Sequence, residues 1–403
     1  MQTNISVQYK DSAYGKEADR ILRSCVHCGF CTATCPTYQL LGDELDGPRG
    51  RIYLIKQVLE GNAATNKTMT HLDRCLTCRS CETTCPSGVE YARLIDIGRY
   101  IVEAEAKRPW TDKLKRNLLH WVLVNPQRFR KVYRLAESFN RFLPANLKVQ
   151  HQTSIIEDLP STRHDNYVIM LEGCVQPVLA PNINIATRKV LDRIGYSTLV
   201  VKQTECCGAI SHHLNKHETA REIMRRNIDA WWPHISNGCK AIIANASGCG
   251  VMLKDYAKLL ADDPQYANKA RLLSERVRDI SEIIQRQDTN KLALKKRRKV
   301  AFHAPCTLQH GLQLNTRVEN LLQSLGFDLV DVQDSHLCCG SAGTYSLLQP
   351  VIANRLKQNK LHNLQRHQPE LIITANIGCQ HHLQTGTNTP VRHWVEIIAE
   401  AIK

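Results

Sequence analysis

Hydrophobic positions change their period once along the 403-residue chain. Before residue 165 they recur at helical spacing, as in the stripes that begin at Ile52 and Leu94. After residue 165, short apolar runs alternate with helical segments, which indicates βα units and a mainly parallel sheet. The runs predicted to be buried strands are 167–171, 198–202, 241–245, 299–303, 328–332 and 371–375.

This change of period predicts a fold of class α + α/β. We expect an all-helical domain over 1–105, followed by a basic, aromatic helical segment with a linker over 106–164. Two tandem α/β repeats are expected at 165–298 and 299–403. No apolar run in the sequence approaches the roughly 18 residues that a membrane-spanning helix needs, so an integral membrane protein is not predicted.

Two cysteine runs of identical spacing lie in the helical domain. CVHCGFCTATCP (25–36) and CLTCRSCETTCP (75–86) both read C-x2-C-x2-C-x3-C-P. In bacterial two-cluster ferredoxins, three cysteines of such a run bind one [4Fe-4S] cluster and the fourth binds the other. The sequence therefore predicts two clusters with crossed ligands, the first on Cys25, Cys28, Cys31 and Cys85, and the second on Cys75, Cys78, Cys81 and Cys35.

Paired zinc sites and a disulfide framework are the alternatives for these runs. Zinc usually takes two C-x2-C hooks, which leaves the third evenly spaced cysteine and the closing proline of each run without a use. No secretory signal precedes the first run, and 403 residues are ample for a core without disulfides. Seventeen cysteines in such a chain indicate a reducing compartment in which thiolates bind metal.

The turn DGPRGR (46–51) follows the first run and precedes a predicted helix. Its two arginines, Arg49 and Arg51, are interpreted as solvated turn residues. The alternative is that they influence the potential of a neighbouring cluster.

Most of the remaining cysteines form a second repeat, with a period of about 130 residues. In each copy a strand ends in cysteine, a Cys-Cys-Gly follows 32 residues later, and a second strand ends in Gly-Cys. Because adjacent side chains diverge, a Cys-Cys pair suits a cluster of several metal atoms better than one metal ion. A zinc site, a redox-active dithiol and inert packing stay open for the two sets, which are Cys174, Cys206, Cys207 and Cys249, and Cys306, Cys338, Cys339 and Cys379.

The formal net charge of +15 predicts an acidic partner. The charge is concentrated in 107–148, which carries eleven Lys or Arg residues against two acidic ones. We predict that this segment docks on an anionic membrane surface or on an acidic partner subunit, the alternative being a solvated helix packed on the core. Nucleic acid is not predicted as a partner, because one structural cluster would need only four of these cysteines.

Two ferredoxin-type runs followed by two Cys-Cys-Gly repeats resemble the electron-transfer subunits of bacterial 2-hydroxy-acid and glycerol-phosphate dehydrogenases. Nearly the whole chain resembles the iron–sulfur subunits of bacterial glycolate oxidases. The segments that carry this resemblance are 25–61, 75–89, NIDAWWP (227–233), DSHLCCGSAGTY (334–345) and TANIGCQ (374–380).

The resemblance implies a non-catalytic electron-transfer subunit of a glycolate dehydrogenase complex. FAD-containing partner subunits would oxidise glycolate to glyoxylate, and this chain would pass the electrons towards membrane quinone. It would lie at the cytoplasmic face of the inner membrane, peripherally bound, or in the cytoplasm. The sequence lacks a G-x-G-x-x-G after a strand and a G-x4-G-K-[ST], which agrees with flavin or nicotinamide chemistry on another chain.

Two other functions stay open. One is a heterodisulfide or disulfide reductase-type subunit, and the other is the iron–sulfur subunit of a related lactate or glycerol-3-phosphate dehydrogenase. In heterodisulfide reductases the repeat ends in C-x2-C, and its five cysteines surround a non-cubane cluster. Here Met252 and His382 stand at that last position, which counts against such a cluster. His382 is interpreted either as a substitute ligand or as an ordinary polar surface residue.

Overall fold

Helices alone form the N-terminal part of the chain in the computed structural model, which describes residues 1–139, 159–160, 162–204, 206–287, 292 and 297–402. Residues 140–158 of the predicted basic segment, with the helix end expected at Pro144, lie outside the described residues. The helices up to residue 139 are α1 (Val7–Lys10), α2 (Ala13–Ser24), α3 (Phe30–Ala33), α4 (Pro36–Leu41), α5 (Pro48–Leu59), α6 (Asn66–Asp73), α7 (Ser80–Thr84), α8 (Tyr91–Glu105), α9 (Trp110–Leu123) and α10 (Pro126–Ser138).

The core of this helical part forms where α5 and α8 cross. The predicted apolar stripes lie in these two helices, and Ile55 and Leu94 are almost completely buried between them. Gly98 permits their close approach, because a Cβ atom at this position would lie 2.5 Å from Cγ1 of Ile55. The predicted all-helical domain is confirmed, and the pattern of the two stripes explains why these helices pack together.

A buried ion cluster joins the two cysteine runs. Asp46, in a 3-10 turn at Glu44–Asp46, is completely buried and lies 2.7 Å from Arg74 Nη1, 3.0 Å from His71 Nδ1 and 3.6 Å from Arg51 Nη2. Its carbonyl oxygen accepts a 2.7 Å hydrogen bond from Thr37, next to the first run. The interpretation of Arg51 as solvated is wrong, because this residue is only 1% exposed.

Two four-stranded sheets, both fully parallel, form the second half of the described chain. Their strands are β1 (Tyr167–Met170), β2 (Ser197–Leu199), β3 (Ile242–Ile243), β4 (Val277–Arg278), β5 (Arg298–His303), β6 (Phe327–Val330), β7 (Leu371–Thr374) and β8 (Val391–His393). The strand orders are β2-β1-β3-β4 and β6-β5-β7-β8. The predicted pair of α/β repeats is therefore confirmed, with a topological switch point between β1 and β3 and between β5 and β7.

Helices cover both sheets, and residues of both repeats share one apolar core. Val168 and Ile243 of the first repeat belong to the same buried cluster as Val300 and Trp394 of the second. The two repeats are therefore packed as one body. The helices of this half are α11 (Gln176–Leu179), α12 (Pro181–Arg193), α13 (Ala209–His213), α14 (His217–Ser236), α15 (Ser247–Leu259), α16 (Ala267–Arg276), α17 (Ile280–Ile284), α18 (Asn315–Ser324), α19 (Tyr345–Leu348), α20 (Pro350–Gln365), α21 (Ile377–Gln384) and α22 (Trp394–Ala401).

The strands differ from the prediction mainly at the sheet edges. The sequence pattern missed β4 and β8, because two or three residues are too few to produce a recognisable apolar run. The run predicted at 198–202 yields a strand only over Ser197–Leu199. The domain limits expected at 105, 164 and 298 stay predictions, although α8 ends at Glu105 and β5 begins at Arg298.

Polar contacts, together with an apolar cluster around Leu76 and Tyr345, hold the helical part against the α/β half. Arg79, in the second cysteine run, forms an ion pair with Asp255 on α15. Lys258, on the same helix, lies 2.9 Å from Glu90. Tyr345 of the second repeat donates a 3.0 Å hydrogen bond to the carbonyl oxygen of Arg74. The second cysteine run is therefore held between both repeats.

We expect Asp46→Asn to lower the free energy of unfolding by about 3–5 kcal/mol, because it leaves the buried guanidinium of Arg51 without a counter-charge. Anaerobic urea unfolding followed by circular dichroism measures the effect. The matched control is Glu44→Gln in the same turn. Glu44 pairs with Arg49 at 2.7 Å, but both side chains are about 40% exposed, so this change should cost less than about 1 kcal/mol. Equal losses in the two variants would contradict the buried-charge account.

Candidate metal centres

One cavity brings together the four thiols predicted for the first cluster. Cys25 follows α2, Cys31 lies in α3, and Cys85 ends α7. Cys28 lies between the first two in a loop with left-handed backbone at His27 and Gly29. All four cysteines line the cavity, together with Cys81 of the other set.

A second cavity brings together the four thiols predicted for the second cluster. It is lined by Cys75, Cys78 and Cys81 of the second run and by Cys35 of the first. This loop again has left-handed backbone at two positions, Thr77 and Arg79. Because Arg79 is not a glycine, its φ of 64° is a strained conformation, which the ion pair with Asp255 holds in place. The structure thus brings the fourth cysteine of each run to the other run.

Burial shapes the chemistry of these thiols. It raises the pKa of Cys31 to about 11 and raises the pKa values of Cys78 and Cys81 well above the usual value. Without a cation such thiols stay protonated at neutral pH, so a metal must displace their protons when it binds. Sets of four converging thiols fit a [4Fe-4S] cluster, whose irons take four cysteine thiolates.

Arg51 and Tyr91 complete the wall of the second cavity. The Nε of Arg51 donates a 2.7 Å hydrogen bond to the carbonyl of His71, and its Nη2 lies 3.2 Å from the hydroxyl of Thr37. The hydroxyl of Tyr91 lies 3.8 Å from Sγ of Cys75. A fixed positive charge beside a thiolate-bound cluster favours the reduced state. The position of Arg51 therefore agrees with the alternative interpretation, in which an arginine of this turn influences the potential of a neighbouring cluster.

The first repeat gathers its four cysteines at the carboxyl ends of β1 and β3. Cys174 and Cys249 follow these two strands, and the Cys206–Cys207 pair precedes α13. Cys206 is hydrogen-bonded to both Cys174 and Cys207, which together lower its pKa well below the usual value, and Cys207 also contacts Cys249. The four sulfurs therefore meet at the switch point of the first sheet.

The second repeat places its four cysteines in the same way. Sγ of Cys306 lies 3.8 Å from Sγ of Cys338, while Cys339 contacts Cys379. In both repeats the glycine after the cysteine pair has a left-handed backbone, with φ near 90°, and its N–H lies 3.4 Å from the first sulfur of the pair. At Gly340 a Cβ atom would lie 2.6 Å from the carbonyl oxygen of Ala353, so only glycine fits.

Residues next to the two sets are in contact across the repeat interface. The hydroxyl of Ser247, two residues before Cys249, lies 2.7 Å from that of Thr307, the residue after Cys306. The N–H of Ser247 also donates a 3.2 Å hydrogen bond to the carbonyl of Ala375 at the end of β7. The loops that carry the two cysteine sets are therefore in direct contact.

The second cavity of the helical part adjoins the second cysteine set. Cys78 packs on the same apolar cluster as Cys338 and Cys306, together with Leu76 and Tyr345. The proximity of Cys306 contributes to the raised pKa of Cys78. A ligand of the predicted second cluster thus lies beside the thiols of the second repeat.

Heterodisulfide reductases have a fifth cysteine at the end of this repeat, and the residue at that position differs between the two repeats here. Met252 is 3% exposed, and His382 is 9% exposed, so the interpretation of His382 as a surface residue is wrong. A ligand role for it is not supported either, because its Nε2 lies 3.4 Å from the carbonyl oxygen of Ala353.

Sequence reasoning missed three buried polar residues around the second set. Lys360 is 3% exposed and donates a 2.7 Å hydrogen bond to the carbonyl of Asp334, and Lys357 lies near the same thiols. His303, at the end of β5, lies with Cys339 and Cys379 so that one ring nitrogen and the two sulfurs are all within 4.8 Å of one another. Of these three residues, the sequence pattern could have indicated only His303, because it is a polar residue directly after the apolar run 300–302.

These four groups of converging thiols define an electron-transfer iron–sulfur protein. Residues 21–89 match the 4Fe-4S dicluster domain, and residues 168–254 and 300–384 match the cysteine-rich domain. The helical domain accordingly carries two [4Fe-4S] clusters. Among the described helices, none is long and apolar enough to cross a membrane.

Comparison with known proteins specifies the family. The chain is 53% identical over 405 aligned residues to the glycolate oxidase iron-sulfur subunit of Escherichia coli (strain K12), covering 100% of both chains. It is 28% identical to the probable glycolate oxidase iron-sulfur subunit of Bacillus subtilis (strain 168), covering 91% of this chain and 89% of that protein. It is 24% identical to a subunit of the fumarate reductase (CoM/CoB) of Methanothermobacter marburgensis, covering 90% of this chain and 68% of that subunit. The chain belongs to the family of glycolate oxidase iron-sulfur subunits.

Crossed ligation predicts which variants lose the same cluster. Cys28→Ser and Cys78→Ser each remove a ligand of one cluster and so identify the electron paramagnetic resonance signals of the first and the second cluster. Cys35→Ser should lose the same signal as Cys78→Ser and keep the signal that Cys28→Ser loses. Its iron content should fall by up to about four irons per chain. The control is Cys239→Ser, because Cys239 belongs to none of the four cysteine sets. It is buried, and its Sγ lies 3.2 Å from the carbonyl oxygen of Ala241. Its metal content should not change. If Cys35→Ser instead loses the signal lost in Cys28→Ser, each run binds its own cluster.

Proposed function

We propose that this chain relays electrons from FAD-containing subunits that oxidise glycolate to glyoxylate towards membrane quinone, without binding glycolate itself. Full-length identity of 53% to a glycolate oxidase iron-sulfur subunit supports the choice of substrate. The observation that carries the proposed relay is the packing of Cys78 against Cys306 and Cys338. It links the ferredoxin-type cavities to the cysteine-rich repeats, so that one continuous path through the chain becomes available.

The entry point is proposed at the first cavity. Cys28 is the one exposed cysteine of the seventeen, all of which are described, and its neighbours Val26 and Phe30 are 66% and 60% exposed. Apolar side chains around a solvent-exposed ligand suit the docking of a partner protein. A flavoprotein subunit seated here would bring its flavin close to the first cluster.

The two cysteine sets of the repeats are proposed as the last carriers of the relay. The two N-terminal clusters lie upstream of them. The ligands of the first are Cys25, Cys28, Cys31 and Cys85, and those of the second are Cys75, Cys78, Cys81 and Cys35. Iron–sulfur clusters accept and donate electrons singly, which suits passage from a flavin to a quinone. Cys207 and Cys339 are 3% and 0% exposed. A disulfide substrate could not reach such thiols, so their burial favours electron transfer over a disulfide reductase function.

The exit is proposed beneath the α9–α10 hairpin. Val124, which lies between these helices, packs against Cys174 and Cys206 of the first set. Neither helix has a buried residue, and their exposed apolar side chains are Trp110, Leu114, Leu118, Trp121, Val132, Leu135 and Phe139. Trp110, Leu114, Leu118 and Trp121 recur on one face of α9.

Basic residues accompany this apolar face. Arg130, Lys131 and Arg134 are exposed on α10, and the guanidinium of Arg128 lies 5.0 Å from the ring centre of Trp121. Tryptophan beside lysine and arginine is the composition of helices that lie in the membrane interface. We therefore propose that the hairpin docks on an anionic membrane at the cytoplasmic face. The cysteine set of the first repeat would then lie close to the quinone.

The relay predicts a selective defect for Cys339→Ser in the assembled complex. Glycolate should still reduce the two N-terminal clusters, while quinone reduction should slow at least about tenfold, since the path beyond Cys78 is interrupted. Stopped-flow absorbance and quinone reduction measure the two steps, and Cys239→Ser is the control. The chain alone should turn over no glycolate. Loss of cluster reduction would place the repeats upstream, and full quinone activity with unchanged metal would make these cysteines packing residues.

Charge reversal of the hairpin should release the complex from membranes. Each basic residue near an anionic leaflet contributes about 1 kcal/mol, so Arg130→Glu, Lys131→Glu and Arg134→Glu together should weaken binding to anionic vesicles at least about 100-fold at low salt. Sedimentation with vesicles measures this, and reversal of the exposed Lys16, Lys202 and Arg226 is the control. If vesicle binding is unchanged but the flavoprotein subunits dissociate, the hairpin binds an acidic partner instead.

A further inference from the structure

His303 is buried beside the second cysteine set without a hydrogen-bond partner. It is 2% exposed, and neither of its ring nitrogens has a partner among the described residues. Buried polar atoms are nearly always paired, so an unpaired imidazole indicates a group that normally occupies the space beside it. One of its nitrogens lies within 4.8 Å of the sulfurs of Cys339 and Cys379.

Two further polar side chains near this set also lack partners. Thr374 is completely buried and pairs in register with His303 across β5 and β7. Gln380, which follows Cys379, is 2% exposed. The hydroxyl of Thr374 and both polar atoms of the Gln380 amide are unpaired among the described residues. The surroundings of the second set are therefore polar and unsatisfied.

The corresponding positions of the first repeat are apolar. Counted from the cysteine that ends the strand, His303 corresponds to Leu171, because VAFHAPC aligns with VIMLEGC. Leu171 is 2% exposed and packs with Cys207 and Met252. On the same basis Thr374 corresponds to Ala244. The two sites thus share their sulfur positions but differ in what lies beside them.

We propose that His303 is a fifth protein ligand, through one ring nitrogen, of an iron–sulfur centre held by Cys306, Cys338, Cys339 and Cys379. This inference rests on the proposed centre of the second repeat and names a ligand for it. The nitrogen lone pair forms a bond to iron, the other ring nitrogen keeps its proton, and no electron is transferred in that step. The first repeat has Leu171 at the corresponding position, so the two centres differ in this ligand.

Histidine ligation has a consequence for the potential of the second centre. In Rieske centres histidine replaces thiolates and the potential rises. Here the imidazole would add an electron-pair donor to four thiolates, which stabilises the oxidised state, so His303 should lower the potential of the second centre. The two neighbouring lysines, Lys357 and Lys360, act in the opposite direction, because positive charge stabilises the reduced state.

The test uses His303→Leu in the full chain, since leucine already occupies the corresponding position of the first repeat. Protein prepared anaerobically with 15N-histidine is examined by pulsed electron paramagnetic resonance for coupling of a histidine nitrogen to a paramagnetic centre, and by redox titration. The parent protein should show the coupling. The variant should lose it and raise the potential of one centre, with the N-terminal cluster signals unchanged.

The matched control is His382→Met, which copies Met252 of the first repeat and removes a histidine near the same centre. This variant should keep the nitrogen coupling, because the ring of His382 is engaged with a backbone carbonyl. Coupling absent from the parent protein, retained in His303→Leu or lost only in His382→Met would overturn the inference.

Cys339→Ser separates this inference from the proposed function. If Cys339→Ser removes iron but His303→Leu changes neither coupling nor potential, the centre exists and His303 is not its ligand. If Cys339→Ser removes no iron, or the second set binds zinc, the proposed iron–sulfur centre itself fails and the inference fails with it.

Discussion

The gathering of sixteen cysteine sulfurs in four groups, in which all but Cys28 are buried or half-buried, is the constraint on which the rest of the structure depends. Thiolates this close repel one another and lose their hydration, so each group is stable as thiolates only around a metal centre. The surrounding residues reduce the remaining charge. Arg51 lies beside the second cavity, Lys357 and Lys360 lie beside the second repeat, and the glycine N–H groups point at the paired cysteines. The fold supplies positive charge where sulfur is concentrated.

The same constraint explains how the two halves of the chain hold together. Each cysteine run contributes its last sulfur to the cavity of the other, so neither run forms a complete set alone. The strained backbone at Arg79 is held by Asp255 of the first repeat, while Cys78 packs against the second repeat. The residues that line the second cavity all belong to the helical part, and both repeats pack beside it, which places it between the first cavity and the repeat cysteines.

Spacing in the sequence was sufficient to predict the order of helical and α/β parts and which cysteines lie together, because both depend on local periodicity. The helical stripes, the longer strands and the gathering of the repeat cysteines at a switch point follow from short-range patterns. The surroundings of the sites do not. Arg51 was interpreted as solvated, since its partner Asp46 becomes buried only through long-range packing, and His303 is identified as a neighbour of Cys339 only once β5 and β7 are in register. The apolar face of α9 was also missed, because exposure depends on what the fold leaves uncovered.

Exposure of Cys28 has a consequence for how the protein survives outside its complex. The opening at Cys28, which is proposed above as the entry for electrons, also admits dioxygen when that surface is bare, and Val26 and Phe30 leave the opening uncovered. Oxidative damage should begin at the first cluster and spread inward, while the buried thiols of the repeats are protected by the protein around them. Assembly with the partner subunits then serves as protection as well as supply, and a free excess of this chain in an aerobic cell would be the first population to lose its iron.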